Sequence, residues 1–464
     1  MVVGEMPQAV DLVVIGAGPG GYTAALDAAA RGRSVWLIDA AGENGVGGVC
    51  LLEGCIPSKA MIELGSARHD HSRRRELGIA GEVPPTVDLA QFQRFKNALI
   101  ATLGSGVRAD LAAAGVTIVT GRAVFTSPRS LRVEHDEAQS ELFEFANAII
   151  ATGSRAVEIP SLAGDPRVVD AAGVLSLEAL PEKVLVIGGG YIGIELGTAL
   201  AKLGATVTLV EAGARILPSM NERVAADVAR GLRRLGVTVL VNTVAELTNG
   251  VLKAVERDSS REIEADLVVV AVGRRPNTEL LALDRAGIST SATGHIVVDE
   301  SLRATTLIAA IGDVVDGPGL AHKASAQASV AVDAVSGRAA RWESLVPHVV
   351  FSDPEAASVG MSLAEALAAG IDAREVVTPY NRLGKAHVLQ STSGHHAMVV
   401  DGATGAILGA AITGAHATEL ISEMTLAIEA GLLVGDITAT VHPHPTLSEI
   451  AVLSEHIPRK KVEQ

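Results

Sequence analysis

The stretch DLVVIGAGPGGYTAALDAAARGRSVWLIDA, residues 11–40, comes back as KVLVIGGGYIGIELGTALAKLGATVTLVEA at residues 183–212, aligned without a gap at an offset of 172. Each copy runs from an apolar strand through a Gly-x-Gly-x-x-Gly turn into an Ala-rich helix and closes with a strand ending on an acid. The order has a physical reason. The first glycine makes a tight turn, the second lets backbone approach a pyrophosphate, and the third lets helix and strand pack closely. The phosphates then sit at the positive end of the helix. The glycines are Gly16, Gly18 and Gly21 in the first copy, with Asp39 as the acid; in the second they are Gly188, Gly190 and Gly193, with Glu211. Each acid lies 23 residues past its first glycine, where a carboxylate can accept hydrogen bonds from ribose hydroxyls. One such turn is a weak signal. Two, each flanked by strand, helix and acid, predict an α/β chain with two Rossmann-like units and two dinucleotides. In the second unit Glu211 would repel a 2′-phosphate, so NAD is expected rather than NADP, with the neighbouring Arg215 weighing slightly against this. Tyr191 is open to two readings, a cover for the nicotinamide pocket or a packing residue.

At 464 residues the chain calls for two to four domains. Its 48% apolar content, drawn from Ala, Gly, Val and Leu with few aromatics, suits packed α/β layers rather than a disordered chain. The net charge of −15 argues against a nucleic-acid partner, which would require clustered Lys and Arg. The one basic run, RHDHSRRRE at 68–76, reads as a solvated helix face. The start, MVVGEMPQAVD, lacks the cationic region of a secretory signal, and no apolar stretch approaches a membrane span, so a cytoplasmic protein with no membrane association is expected.

Both cysteines fall in GGVCLLEGCIPSK, residues 47–59, as Cys50 and Cys55. In the cytoplasm such a pair reads as catalytic or metal-binding before it reads as a structural staple. Pro57 fits the first turn of a helix, whose N-terminus would favour a thiolate. On an ideal helix, residues five apart have Cα atoms roughly 8 to 9 Å apart, too far for a disulfide. A bridge would need a distorted turn, which Gly54 can supply, and a strained bridge is easily reduced. A metal site, with His69 and His71 as the nearest imidazoles, and a pair of inert buried thiols are the weaker alternatives.

Taken together, GAGPGG, GGVCLLEGCIPSKA, ATG at 151–153, GGGYIGIELG, AVGRRPNTELL at 271–281, AIGDVVDGPGLAHKA at 310–324, FSDPEAASVG at 351–360 and HPHPTLSE at 442–449 resemble the flavin-dependent pyridine nucleotide–disulfide oxidoreductases almost end to end. The Ile-Pro-Ser-Lys and His-Pro-Thr-Leu-Ser-Glu variants resemble its lipoamide branch. The resemblance implies FAD at the first turn and NAD at the second, with Gly48, Thr152, Gly153, Gly273, Asp313, Ala321 and His322 also at the cofactors. It implies that Cys50 is the interchange thiol and Cys55 the thiolate beside the flavin. Lys59 would pair with Glu195 near the flavin, and Asp313 would hold the ribityl chain. His444 would be the base, oriented by Glu449 and supplied across a homodimer, with His442 the weaker candidate. TLSE at 446–449 also reads as a capping box, with Thr446 capping and Glu449 reaching back. No resident metal is implied.

Several positions depart from the family pattern. Val49, Leu52 and Glu53 stand where Thr, Asn and Val are usual, Gln327 replaces a common Glu, and TSGHHAMVVD is unlike the usual form. The expected division is an FAD domain at 1–154 and 275–342, an NAD domain at 155–274 and an α+β dimerisation domain at 343–464. The expected reaction is oxidation of dihydrolipoamide by NAD⁺, with a lipoyl-bearing acyltransferase of a 2-oxo acid dehydrogenase complex as a candidate partner. The alternatives are an NADH-dependent reductase of another small disulfide or a quinone, and a non-catalytic FAD- and NAD-binding docking subunit. Mercuric-ion and large thioredoxin reductases would want a further thiol pair near the C-terminus, which HIPRKKVEQ lacks.

Overall fold

Strand β1 (Gln8–Ile15) is buried on both faces over its second half, because it lies inside a sheet covered on both sides. It runs parallel to β2 (Val35–Asp39) on one side and β6 (Gln139–Ile150) on the other. The computed structural model describes residues 7–78, 85–136, 139–248, 250–256 and 259–455. Helix α1 (Pro19–Ala30) opens on a proline, whose missing N–H is no loss in a first turn, and buries a face of Gly20, Gly21, Ala24, Ala25 and Ala28. After β2 come α2 (Gly48–Leu52), α3 (Cys55–Glu76) and α4 (Leu89–Ala113), then β3 (Thr117–Thr120), β4 (Arg122–Ser127) and β5 (Ser130–Asp136). The strand order is β3-β2-β1-β6-β5-β4, antiparallel from β6 outward to β4.

The chain leaves this sheet through β7 (Ser154–Ala156) and returns through β16 (Arg274–Pro276), and the two crossings pair with each other. Between them lie β8 (Val168–Val169), α5 (Ala171–Leu175), β9 (Lys183–Ile187), α6 (Tyr191–Leu203), β10 (Thr206–Val210), α7 (Glu222–Arg234), β11 (Thr238–Leu240) and β15 (Leu267–Val270). These strands make a second parallel sheet, β11-β10-β9-β15-β8. An antiparallel side sheet of β12 (Val244–Thr248), β13 (Val251–Glu256) and β14 (Ser259–Glu262) sits beside it. On return, β17 (Ile308–Ala310) joins β6 as the seventh strand of the first sheet. Helix α8 (Ala321–Val335) lies against α1, where a Cβ on Gly20 would come within 3.2 Å of Ala324.

The last unit is an antiparallel sheet, β18 (His348–Val350), β19 (Ala356–Gly360), β22 (Ile407–Thr413), β21 (His395–Asp401) and β20 (Ala373–Pro379) in spatial order. Its helices are α9 (Leu363–Ala368), α10 (Gly384–Val388), α11 (Ala417–Glu429) and α12 (Val434–Ala439). The architecture is therefore α/β with two Rossmann-like units and an α+β C-terminal unit. Among the described residues no helix is long and apolar enough to cross a membrane.

The thiol-bearing helix α3 crosses α6 at Gly65, where a Cβ would stand 3.1 Å from the carbonyl oxygen of Ala199, so the missing side chain lets the two helices meet. The basic run at 68–76, expected as a solvated face, is in part a helix cap: Arg68 Nη1 donates to the Lys202 carbonyl at 3.0 Å, near the end of α6. The side chains at 72–76 lie outside the described residues, as does the tail at 456–464.

Candidate active site

The two glycine turns are built alike at their first and third glycines. Gly16 has φ +100° and Gly188 φ +111°, and a Cβ on either would meet a carbonyl oxygen, Ala151 at 2.4 Å and Ala271 at 2.3 Å. A Cβ on Gly21 would fall 1.8 Å from the Gly16 carbonyl oxygen, and one on Gly193 2.0 Å from that of Gly188. The second glycines differ from these. Gly18 and Gly190 have ordinary backbone angles, and a Cβ would meet nothing closer than 4.0 Å at Gly18 and nothing within 4 Å at Gly190. The fold itself does not require glycine there, so the space fits a ligand. Both residues N-cap their helices without a side-chain hydrogen bond, which leaves first-turn N–H groups for phosphate oxygens. The residues present fit two dinucleotides.

The acids match as well. Asp39 accepts from Ala17 N and Ala41 N, each at 2.9 Å; Glu211 accepts from Gly189 N at 2.7 Å and Gly213 N at 2.6 Å. Each carboxylate is thus fixed at its strand end with lone pairs to spare. Arg215 is engaged elsewhere, donating to the carbonyls of Leu217, Pro218 and Met220, so it does not offset Glu211.

One cleft of about 500 Å³ is lined by Gly16, Gly18, Asp39, Gly48, both cysteines, Lys59, Thr152, Gly153 and Ala321. A second, of about 890 Å³, is lined by Gly188, Gly190, Glu211 and Gly273. Tyr191, Ser154, Arg274, Asp313 and Gly319 line both. Tyr191 is a wall between the two clefts, its hydroxyl donating to the Gly319 carbonyl at 3.2 Å and its pKa pushed up to about 12 by burial. Asp313 Oδ2 accepts the Ser154 hydroxyl at 2.5 Å, and Ser154 Oγ accepts from Arg274 Nε at 2.7 Å. Thr152 donates to the Asn277 carbonyl and Asn277 returns the bond, tying the ATG segment to the returning crossing. Gly48 packs against Gly18, where a Cβ would come within 2.7 Å of its Cα. His322 stands apart: it bonds the Pro347 carbonyl at 2.8 Å and lines neither cleft.

The thiols do not share one helix. Helix α2 ends at Glu53 (φ −136°, ψ −1°), Gly54 bends the chain, and α3 begins at Cys55. The break brings together two side chains that an ideal helix would hold apart. Both thiols are free and hydrogen bonded to each other. The Cys50 hydrogen bond holds the Cys55 thiol down to about 7, helped by the charge of Lys59 against the opposing effect of burial. Cys55 also sits at the positive end of a 22-residue helix. The Cys50 thiol is pushed up by that same bond and by burial, so Cys50 keeps its proton while Cys55 loses its own.

Lys59 Nζ lies 2.7 Å from Glu195 Oε2, which joins α3 to α6. Glu195 is buried, and its Oε1 accepts the Phe351 backbone N–H at 3.0 Å. Lys59 Nζ also lies 4.6 Å from the centre of the Phe351 ring. Phe351, Ser154 and Arg274 received no role in the sequence reading, although the first opens FSDPEAASVG and the last belongs to AVGRRPN. Gln327, 1% exposed, accepts from Gly312 N at 2.8 Å beside Asp313, a bond its neutral amide makes without burying a charge.

His444 lies far out on the surface, its side chain 78% exposed, with Nδ1 2.9 Å from Glu449 Oε1. Neither residue lines the thiol cleft. Only half of the expected capping box forms. Glu449 reaches back to Thr446 N at 2.8 Å, but the Thr446 hydroxyl donates to the Pro443 carbonyl instead of capping. His442 has a carboxylate of its own, Glu423 at 2.9 Å, and is part-buried.

A family model described as pyridine nucleotide-disulphide oxidoreductase matches residues 10–328, and its dimerisation domain matches 346–454. The chain is 42% identical to a dihydrolipoyl dehydrogenase of Geobacillus stearothermophilus, 97% of each chain being covered, and 41% identical to one of Bacillus subtilis at the same coverage. A dihydrolipoyl dehydrogenase of Halobacterium salinarum is 39% identical over 98% of each chain. Among solved structures, LpdA from Mycobacterium tuberculosis superposes with a TM-score of 0.88 at 27% identity, covering 96% of this chain and 99% of that one. The HOCl-induced flavoprotein disulfide reductase RclA from Escherichia coli gives 0.83 at 28% identity, covering 95% and 98%.

Proposed function

The chain belongs to the pyridine nucleotide-disulphide oxidoreductase family, and from that premise we propose that it oxidises dihydrolipoamide to lipoamide with NAD⁺. The observation that carries the reading is the Cys50–Cys55 pair, with the proton on Cys50 and the low pKa on Cys55 at the head of α3. In the oxidised enzyme these sulfurs form a disulfide. A substrate thiol gives its proton to His444 of the partner subunit, and the thiolate attacks Cys50 Sγ. The Cys50–Cys55 bond breaks and Cys55 leaves as thiolate, the better leaving group for its lower pKa. The second substrate thiol gives its proton to solvent and attacks the first sulfur, the bond between that sulfur and Cys50 breaks, lipoamide departs, and Cys50 takes back the proton from His444.

Glu449 holds Nδ1 of that histidine, which leaves Nε2 free to act as the base. Lys59, held by Glu195, whose other oxygen accepts the Phe351 N–H, places a positive charge beside the Cys55 thiolate. FAD in the smaller cleft would supply a two-electron relay from the dithiol to NAD⁺ in the larger one. Gly16, Gly18, Gly21, Asp39, Gly48, Thr152, Gly153, Asp313, Ala321 and the backbone about His322 are assigned to FAD. Gly188, Gly190, Gly193, Glu211 and Gly273 are assigned to NAD. The FAD-binding part is assigned to residues 1–154 and 275–342, the NAD-binding part to 155–274, and dimer contacts to 343–464. The working form is a cytoplasmic homodimer, and a lipoyl-bearing acyltransferase is a suitable partner.

The test is steady-state oxidation of dihydrolipoamide by NAD⁺ in FAD-loaded wild type, Cys50→Ser and His444→Ala. Turnover in wild type and loss of about a hundredfold or more in both variants is expected. If NADH reduces the flavin while dihydrolipoamide is inert, the substrate assignment fails and a reductase of another disulfide or a quinone takes its place.

A further inference from the structure

Glu53 stands between the two thiols in sequence, and among the described residues nothing pairs with its charge. It ends α2, where the backbone dipole opposes an anion. It is exposed, it lines the cleft that holds Cys50, Cys55 and Lys59, and its carboxylate has no partner among the described residues. The other charged groups lining that cleft are engaged. Lys59 pairs with Glu195, Arg155 with Glu279, Asp39 and Asp170 accept backbone N–H groups, and Arg274 and Asp313 meet at Ser154. Beside Glu53 the loop is apolar: Val49, 43% exposed, and Leu52 both line the cleft.

We propose that Glu53 selects dithiol substrates by charge, admitting a neutral, amide-linked aliphatic dithiol over one that ends in a free carboxylate. The inference rests on the dithiol reading above and names the substrate form that site accepts. A short aliphatic chain whose sulfurs have reached Cys50 keeps its far end within a Debye length of Glu53, about 8 to 10 Å at ordinary ionic strength. An anion at that end is repelled while an amide is not, which is worth roughly a three- to tenfold difference in kcat/KM.

The experiment measures kcat/KM for dihydrolipoamide and for anionic dihydrolipoate with NAD⁺, in wild type, Glu53→Gln and Glu53→Lys. A second readout needs no turnover: the rates at which iodoacetamide and iodoacetate alkylate the reduced enzyme. The anionic-to-neutral ratio should rise about three- to tenfold in Glu53→Gln and further in Glu53→Lys in both assays, and it should rise in wild type as salt is added. Ratios that stay within about twofold across all proteins and salt concentrations overturn the role of Glu53. If the alkylation ratio shifts but neither dithiol is turned over, the charge selection at the thiols stands and the dithiol reading is what fails.

Discussion

At Cys55 opposing effects compete. The hydrogen bond from Cys50 is the largest, burial works against it, and the charge of Lys59 adds to it, leaving the thiol at about 7. Cys50→Ala should therefore raise the Cys55 pKa toward the ordinary thiol range, and Cys50→Ser, which keeps a donor, should recover part of the difference. Because the chain has only two cysteines, the ultraviolet absorbance of thiolate in these variants titrates Cys55 alone. An unmoved midpoint in Cys50→Ala would assign the low pKa to the helix end and Lys59. The cysteines and the glycines were legible in the sequence because their chemistry depends on residue type, whereas Glu195 was reached only through the family resemblance. Phe351 was not legible, since it orients Glu195 through a backbone N–H that any residue except proline could offer.

Helix α6 ties α3 to the segment at 351–353. Glu195 takes Lys59 and the Phe351 N–H; two turns later Lys202, also buried, lies 2.7 Å from Asp353 and 3.2 Å from Ser66 Oγ. Removing the carboxylate strands a buried ammonium, so Asp353→Asn should cost about 2 kcal/mol, the partial exposure of Asp353 holding it below the full penalty for a buried pair. Denaturant unfolding checks this, and a loss under about half a kcal/mol would mean that Lys202 finds another partner.

Strand β21 carries a different liability. His396 is fully buried, neither ring nitrogen has a hydrogen-bond partner among the described residues, and burial, with His395 beside it, pushes its pKa down to about 4. In the unfolded chain it titrates near 6.5. Stability is thus full above about pH 6.5, and as the pH falls toward 4 the unfolded chain gains a proton that the fold excludes, costing up to about 3 kcal/mol. His396→Leu should flatten this stretch of the stability profile; a slope unchanged by the substitution would place the acid sensitivity elsewhere. At this scale the distorted turn expected of Gly54 is there, between α2 and α3, although the five residues of α2 are too few to show a period. TLSE misled for a local reason. The capping pattern was present, but the Thr446 hydroxyl has a nearer acceptor in Pro443.

Over the whole molecule, an exposed His444 outside the thiol cleft predicts complementation between subunits. Co-expressed Cys50→Ser and His444→Ala chains, each inactive alone, should form mixed dimers with one intact site of two and regain about a quarter of wild-type turnover. No recovery would mean that both residues serve one chain. The two dinucleotide units were legible because the motif repeats, whereas the closure of the first sheet by β17 was not, since a three-residue strand carries too little pattern. The crossings β7 and β16 have a consequence for engineering. Since they pair side by side, the inserted unit begins and ends about 5 Å apart, the spacing of neighbouring strands, and so has the geometry of a cassette. A homologous unit that keeps Glu195 for Lys59 but carries a basic residue in place of Glu211 could be grafted at those two points, converting nucleotide preference while both thiols and His444 stay on the recipient chain.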